Sequence, residues 1–190
     1  GAVVTVANAA TAPGYTFNGW SQTGTFEMPA EDVVITGSWS ANTDTAYKVE
    51  HYVEDLNADT FTLQDTESKS GTTGTTVTAT AKTYEGFTFD AENTNNVLSG
   101  TIAADGKLVL KLYYTRNSYK VSYEYGTAPA GASALPTEGT YEYGAVVTVA
   151  NAATAPGYIF NGWSQTGTFE MPAEDVVITG SWSANKDTAY

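Results

Sequence analysis

The spacing of apolar and polar residues along the chain predicts strands rather than helices. In the segment Tyr119–Tyr125, Tyr and Val alternate with Lys, Ser and Glu, which is the period of two expected of a strand with one buried face. Three further groups each share one face of a predicted strand: Val49, His51 and Val53; Leu108, Leu110, Leu112 and Tyr114; Val176, Ile178 and Trp182.

Helical patterning is confined to two short segments. Thr80–Tyr84 and Ala150–Thr154 contain several Ala residues, and each precedes a turn in which Gly is followed by an aromatic residue. No stretch of a dozen residues carries a helical apolar stripe. The pattern therefore predicts a mainly β chain with, at most, short helices.

The predicted elements recur because part of the amino-acid sequence is repeated. Residues 1–47 appear again as residues 144–190 with two changes, Thr16 to Ile159 and Thr43 to Lys186. A finer period is marked by Tyr47, Tyr119 and Tyr190, which lie 72 and 71 positions apart. Each follows a Gly-aromatic pair by the same interval, and those pairs begin at Gly14, Gly86 and Gly157. Repetition at this period is typical of a modular array.

Two kinds of module alternate. We predict an A-type module at 47–118, a B-type module at 119–190, and the C-terminal part of another B-type module at 1–46. Each complete module is predicted to have about four strands and one short helix, with the modules arranged as beads in an extended array. A core of this size is near the lower limit for stability, so contacts with neighbouring modules of the chain are expected to contribute.

The first module lacks about 25 residues that match Tyr119–Tyr143 and include a strand. Its residues either fold incompletely, result from a cut, or take a strand from a neighbouring molecule. The last alternative predicts self-association by strand exchange, a known route to dimers.

Charge and composition exclude several classes of partner. With 21 Asp and Glu against 8 Lys and Arg, the net charge is −13, so binding to the phosphates of nucleic acid is not expected. No apolar run approaches the roughly 20 residues that span a bilayer, and no membrane insertion is expected. The chain has no Cys, so neither disulfides nor Cys-bound zinc contribute to its stability.

Two families are similar to these modules. The A-type module, from YKVEHYVEDL to LVLKLYYTRN, resembles the MucBP-type repeat of Gram-positive surface proteins. The B-type module, with PGYIFNGWS and MPAEDVVITGSW, resembles the Listeria–Bacteroides, or internalin-type, B repeat. The resemblance implies β-grasp modules of cell-wall-anchored adhesins, a role as a stalk or in binding mucin, and no catalytic residue.

Candidates for metal or catalytic chemistry are few. The single His, His51, sits in line with Val49 and Val53, which favours a structural role. Two groups have the oxygen ligands that calcium prefers, although strand carboxylates are more often a solvated face: Glu50, Glu54, Asp55 and Asp59; Asp90, Glu92, Asn93, Asn95 and Asn96. We expect no enzymatic activity, no cofactor and no transition metal.

Aromatic residues are the predicted ligand contacts. Trp20 with Asn18, and Trp163 with Asn161, could combine ring stacking on a sugar with hydrogen bonds, although core packing is the favoured interpretation of both Trp side chains. Tyr52 and Tyr113 are further candidates on the A-type module.

Two functions remain. The favoured one is a stalk that projects a distal binding domain from a bacterial cell surface, anchored to the wall through regions outside these residues. The alternative is a module that binds mucin or glycan weakly and gains avidity from its copies.

Overall fold

The computed structural model describes residues 1–186, and the last four residues of the predicted 119–190 module lie outside the described residues. Sixteen strands follow one another along residues 1–186. The first four are β1 (Val3–Thr5), β2 (Tyr15–Trp20), β3 (Thr25–Glu27) and β4 (Gly37–Ala41). The next six are β5 (Thr45–Glu54), β6 (Phe61–Gly71), β7 (Thr76–Thr78), β8 (Phe87–Phe89), β9 (Ser99–Thr101) and β10 (Val109–Arg116). The last six are β11 (Ser118–Tyr125), β12 (Gly139–Glu142), β13 (Val146–Thr148), β14 (Tyr158–Trp163), β15 (Thr168–Glu170) and β16 (Val176–Ala184).

The predicted β character is confirmed, but the predicted helices are wrong: the described residues contain no helix. In each of the two Ala-rich segments, a backbone amide donates a hydrogen bond to a Tyr side chain. The Tyr114 hydroxyl accepts from Lys82 N at 2.9 Å, and the Tyr123 hydroxyl accepts from Ala150 N at 3.0 Å. Without a helix to cover the sheet, the β-grasp assignment is not supported.

One sheet topology occurs twice. Strands β5 to β10 form a four-stranded sheet of order β6-β5-β10-β8 and the pair β7-β9, whereas β11 to β16 form the order β12-β11-β16-β14 and the pair β13-β15. Each set therefore has six strands, rather than about four. In the first copy of the repeated sequence, strands β1 to β4 form only the two-stranded pairs β1-β3 and β2-β4.

The last sheet is mixed because its two central strands are parallel. Val121, Tyr123 and Tyr125 of β11 pair with Val176, Ile178 and Gly180 of β16, while β12 and β14 are antiparallel to their neighbours. A parallel pair requires a long crossover connection, and here β12 to β15 supply it.

The buried residues are those that the alternation placed on one face. Val49 and His51 on β5, and Leu110, Leu112 and Tyr114 on β10, are each at most 1% exposed. Val121, Val147, Met171 and Ile178 form the corresponding core around β11 and β16.

The chain divides into two compact units. One comprises Gly1–Tyr52, Leu63–Ala81 and Ala91–Tyr113; the other comprises, among the described residues, Val53–Thr62, Lys82–Asp90 and residues 114–186. The module boundaries at residues 47 and 119 stay a prediction.

Candidate ligand-binding faces and module junctions

Trp163 lies at the end of β14 and is 9% exposed. Its ring stacks on Tyr125 with a centroid distance of 5.5 Å and meets Tyr123 edge-on at 5.0 Å. Its indole N–H donates to Asn151 O at 3.0 Å. The polar atom of a buried Trp is thereby satisfied within the fold, and the side chain contributes to the core.

Trp20 has the same neighbours in sequence but a more open environment. Its indole N–H donates to Asn8 O at 3.1 Å, as in the second copy. It lines an open cleft of ≈ 170 Å³ with Val6, Ala7 and Ile35.

Asn18 and Asn161 occupy exposed positions where the pairing register of β2 and β14 is irregular. Asn161 Nδ2 donates to Ser181 Oγ at 3.2 Å, and Asn161 Oδ1 accepts from Ser183 Oγ at 2.9 Å. Asn18 makes equivalent bonds to Ser38 and Ser40. The Asn side chains are thus held in place by hydroxyl groups of the adjacent strand.

The structure brings each Asn–Trp pair together in a shallow groove. Asn18 and Trp20 line one of ≈ 310 Å³, and Asn161 and Trp163 line one of ≈ 450 Å³. Each groove is completed by residues of the same kinds in the two copies: Gly19, Ser21 and Gly37; Gly162, Ser164 and Gly180. That they bind a ligand stays a prediction.

Tyr52 and Tyr113 are also brought together. Their rings stack with centroids 4.9 Å apart and 9° between planes, and Lys111 Nζ lies 5.7 Å from the Tyr52 centroid. The Tyr52 hydroxyl donates to Glu50 Oε2 at 2.7 Å. This hydrogen bond, with burial and the negative charge of Glu50, raises the pKa of Tyr52 to about 12. A neutral tyrosine is therefore maintained beside the carboxylate.

The first predicted acidic group is engaged in hydrogen bonds. The Asp55 carboxylate accepts from Thr62 Oγ1 at 2.6 Å and Thr60 Oγ1 at 2.7 Å across the β5–β6 hairpin, and these bonds lower the pKa of Asp55. Glu54 Oε2 accepts from Arg116 N at 2.7 Å. Within residues 1–186, no group of three or more His, Asp or Glu side chains is placed to hold a metal.

His51 is fully buried on β5, and its Nε2 lies 2.9 Å from Glu67 Oε1. An imidazole without solvent access, paired with a carboxylate, is consistent with the structural role predicted for it.

Arg116 was not singled out by the sequence analysis, yet it organises the region where β10 ends and β11 begins. Its guanidinium donates to Tyr143 O at 2.6 Å and Glu54 O at 2.9 Å, and lies over the Phe87 ring at 4.8 Å. A side chain at Gly86 would collide with the Tyr143 ring, since a Cβ there would come within 2.2 Å of it. Arg116 is the only Arg in the sequence, and this is the signal that could have identified it.

Two backbone hydrogen bonds at this region recur elsewhere. Asn117 N donates to Gly86 O, and Tyr143 N donates to Asn117 O. At the corresponding positions, Asn42 N donates to Gly14 O and Thr73 N donates to Asn42 O. We call each set a module junction: a Gly-aromatic turn, an Asn after the last strand, and a residue that precedes the next Gly. The periodic Gly residues that marked the repeat are thus structural parts of the junctions.

A membrane-crossing helix, which would need to be both long and apolar, does not occur among residues 1–186.

Comparison with protein families identifies the kind of module. The model of the divergent InlB B-repeat domain matches residues 1–43 and 123–186, which is more than half of the chain. The chain therefore belongs to the divergent InlB B-repeat family, as the B-type motifs indicated. Residues 44–122 lie outside this match.

Among solved structures, the chain is similar to Streptococcal High Identity Repeats in Tandem (SHIRT) domains 3-4 from a cell surface protein. The identity is 18%, the match covers 72% of this chain and 96% of that chain, and the TM-score is 0.27. No curated protein matches the chain.

Proposed function

We propose that these repeats are a stalk in a bacterial cell-surface protein, where they hold a distal binding domain away from the surface. The observation that carries the proposal is the repeated module junction. The same Gly turn and Asn hydrogen bonds occur at Gly14–Asn42–Thr73 and at Gly86–Asn117–Tyr143. A spacer requires junctions that do not bend freely, and these bonds oppose bending.

Other properties of the chain suit this role. Trp163, Tyr123 and Tyr125 are used for packing, so the characteristic aromatic residues of the B repeat have a structural purpose. The net charge of −13 favours solubility and mutual repulsion along an extended molecule. Surface location is proposed from the resemblance to surface-protein repeats, with wall anchoring through other regions. The A-type module is proposed to be MucBP-like.

Stretching of single molecules tests the stalk. With handles at residues 1 and 186, a module of about 70 residues should unfold as a discrete step that lengthens the chain by about 230–250 Å. A smooth extension at trivially low force, without steps, would contradict a load-bearing spacer.

Weak binding of mucin or glycan is the second candidate. It is favoured by the stacked Tyr52–Tyr113 pair and by the duplicated grooves at Asn18 and Asn161, since aromatic and amide groups are suited to sugar rings. Copies of one weak site would act together through avidity.

A glycan and mucin panel tests this alternative with the exposed Asn18 and Asn161 and the half-buried Tyr113. The Asn18→Ala/Asn161→Ala variant and a Tyr113→Ala variant should each lose saturable binding while remaining folded. Leu63→Ala, at a 47% exposed position on β6, is the control for nonspecific surface effects. Equal binding by all variants would reject these faces as the site.

A further inference from the structure

The residue that precedes the junction Asn is not the same in the two kinds of module. Each Gly-aromatic turn accepts a backbone hydrogen bond of 2.8 or 2.9 Å from an Asn: Asn42 N to Gly14 O, Asn117 N to Gly86 O, and Asn185 N to Gly157 O. The residue before the Asn is Arg116 in the A-type module, and it is Ala41 or Ala184 in the two B-type copies. The shared backbone bonds are therefore combined with a cation in one kind of module and with a methyl group in the other.

The two copies of the repeated sequence differ only at positions beside the junction Asn. Thr16 Oγ1 donates to Asn42 Oδ1 at 2.7 Å, and Thr43 directly follows Asn42 in the chain. In the second copy these positions are Ile159, which has no hydroxyl group, and Lys186. Side chains at the junctions therefore vary while the rest of the repeated sequence is unchanged.

Arg116 adds three contacts to the junction between the A-type module and the B-type module that follows. Its guanidinium donates to Glu54 O of the A-type module at 2.9 Å and to Tyr143 O of the B-type module at 2.6 Å. It also lies over Phe87, whose ring meets the Tyr143 ring edge-on at 5.7 Å. Hydrogen bonds from a charged donor are stronger than those between neutral groups, so the guanidinium is a clamp on both modules.

The junction between the first B-type copy and the A-type module has smaller or more exposed side chains at the matching positions. Thr73 stands in the place of Tyr143, and its hydroxyl oxygen lies 2.6 Å from Thr45 Oγ1. Tyr15 stands in the place of Phe87 and is 40% exposed. Since Ala41 has neither a donor nor a charge, this junction depends on backbone bonds and neutral hydroxyl groups, which contribute less.

We propose that the array alternates two kinds of junction: an A-to-B junction clamped by Arg116, and a B-to-A junction without a clamp. Local opening then begins at the B-to-A junctions, and each A-type module stays joined to the B-type module that follows it. This inference rests on the proposed stalk, and it gives Arg116 the role of deciding which junction opens first.

The test is Arg116→Ala in the full chain, with amide exchange followed by NMR. The amides of Asn117 and Tyr143 should exchange at least about tenfold faster, because the variant loses two hydrogen bonds from a charged donor at this junction. The amides of Asn42 and Thr73 make the same bonds at the other junction; they are the internal reference and should not change. Unchanged exchange at Asn117 and Tyr143 would overturn the proposal.

Two further variants separate the clamp from a simple effect of charge. Arg116→Lys keeps the positive charge but lacks the planar fork that reaches two carbonyls at once, so it should restore only part of the protection at Tyr143. Lys111→Ala removes another half-buried cation of β10 and should leave the Tyr143 amide unchanged. Full protection with Lys at position 116 would contradict a clamp made by two bonds.

Two comparisons within the same spectra decide between local opening and general destabilisation. In the unchanged chain, the Thr73 amide should exchange faster than the Tyr143 amide, and the reverse order would contradict the proposal. In Arg116→Ala, the core amides of Leu110 and Leu112 should accelerate clearly less than that of Tyr143. Equal acceleration would show that Arg116 supports the whole A-type module and would overturn the clamp. Exchange is measured without load, so these failures leave the stalk itself to the stretching experiment.

Discussion

Trp20 and Trp163 are equivalent residues of the two sequence copies, and they lie in different surroundings. Both donate the indole N–H to the carbonyl of an Asn twelve positions earlier. The two rings differ in what covers them. Tyr123 and Tyr125 pack against the ring of Trp163, whereas Trp20 lines a cleft. The same side chain therefore contributes different amounts of buried apolar surface.

Trp163→Ala is expected to destabilise its unit by about 3–5 kcal/mol, the usual cost of truncating a large buried aromatic residue. Trp20→Ala should cost clearly less, because part of that ring is already exposed to solvent. Chemical denaturation of the two variants measures the difference. Equal losses would show that the cleft beside Trp20 is closed in solution.

Asp55 gives a pH-dependent contribution to stability. Hydrogen bonds from Thr62 and Thr60 lower its folded-state pKa below the ordinary value of 3.8, so the unfolded chain binds more protons near that pH. The stabilisation is therefore present above the unfolded pKa and is lost as pH falls through the folded pKa.

Asp55→Asn should accordingly lower the melting temperature by a constant amount above about pH 5, and this difference should vanish at more acidic pH. Asp59→Asn is the matched control, because it removes one charge from the same loop at an exposed position. Thermal melts across pH check the prediction. A difference that persisted unchanged in acid would exclude the carboxylate as its source.

At the scale of elements, the junction depends on a turn that tolerates no side chain. Gly86 has φ +78° and faces the Tyr143 ring. Gly157 has nearly the same backbone, φ +75°, but apart from its own chain neighbours no atom of the described residues lies within 4 Å of a Cβ built there. A side chain at Gly157 would therefore cause backbone strain alone, whereas a side chain at Gly86 would cause backbone strain and a steric clash.

Both Gly86→Ala and Gly157→Ala should cost about 1 kcal/mol for the left-handed backbone. Gly86→Ala should cost a further 1–3 kcal/mol, in the order of magnitude typical of overpacking. Urea unfolding of both variants gives the two values. If they were equal, the contact between Gly86 and Tyr143 would not be close in solution.

Element boundaries also show where sequence patterns reach their limit. The alternation around Tyr119–Tyr125 and at Leu108–Tyr114 correctly placed β11, β10 and their buried faces. The Ala-rich segments at Thr80–Tyr84 and Ala150–Thr154 were assigned to short helices wrongly. Their amides are bound by Tyr114 and Tyr123, and a hydroxyl group that arrives from a distant strand leaves no trace in local sequence.

For the candidate site, the sequence located Trp20 and Trp163 and their Asn partners. It did not show that β11 covers the ring of Trp163 while Trp20 lines an open cleft. It did not find the contacts of Arg116 with Glu54 and Tyr143, which lie 62 and 27 positions away. Contacts of this range arise only when the sheets assemble.

At the scale of the whole molecule, the two copies of the repeated sequence should differ in stability although their residues are nearly identical. Amides of residues 1–43 are expected to exchange at least about tenfold faster than their counterparts in 144–186, because fewer buried contacts oppose local opening. Hydrogen exchange followed by NMR resolves the copies, since their surroundings differ. Matching rates would mean that residues 1–43 are as well packed in solution as residues 144–186.

The sequence by itself determined the repeat, the mainly β character, the buried face of each central strand and the Gly turns, because these depend on local periodicity and backbone freedom. Only the tertiary structure decided whether Val-Val-Ile-Thr is a strand, whether a Trp is covered, and which residues hold the junctions. Strand pairing is a contact between distant segments, so identical residues become a buried strand beside β11 and an open edge without it.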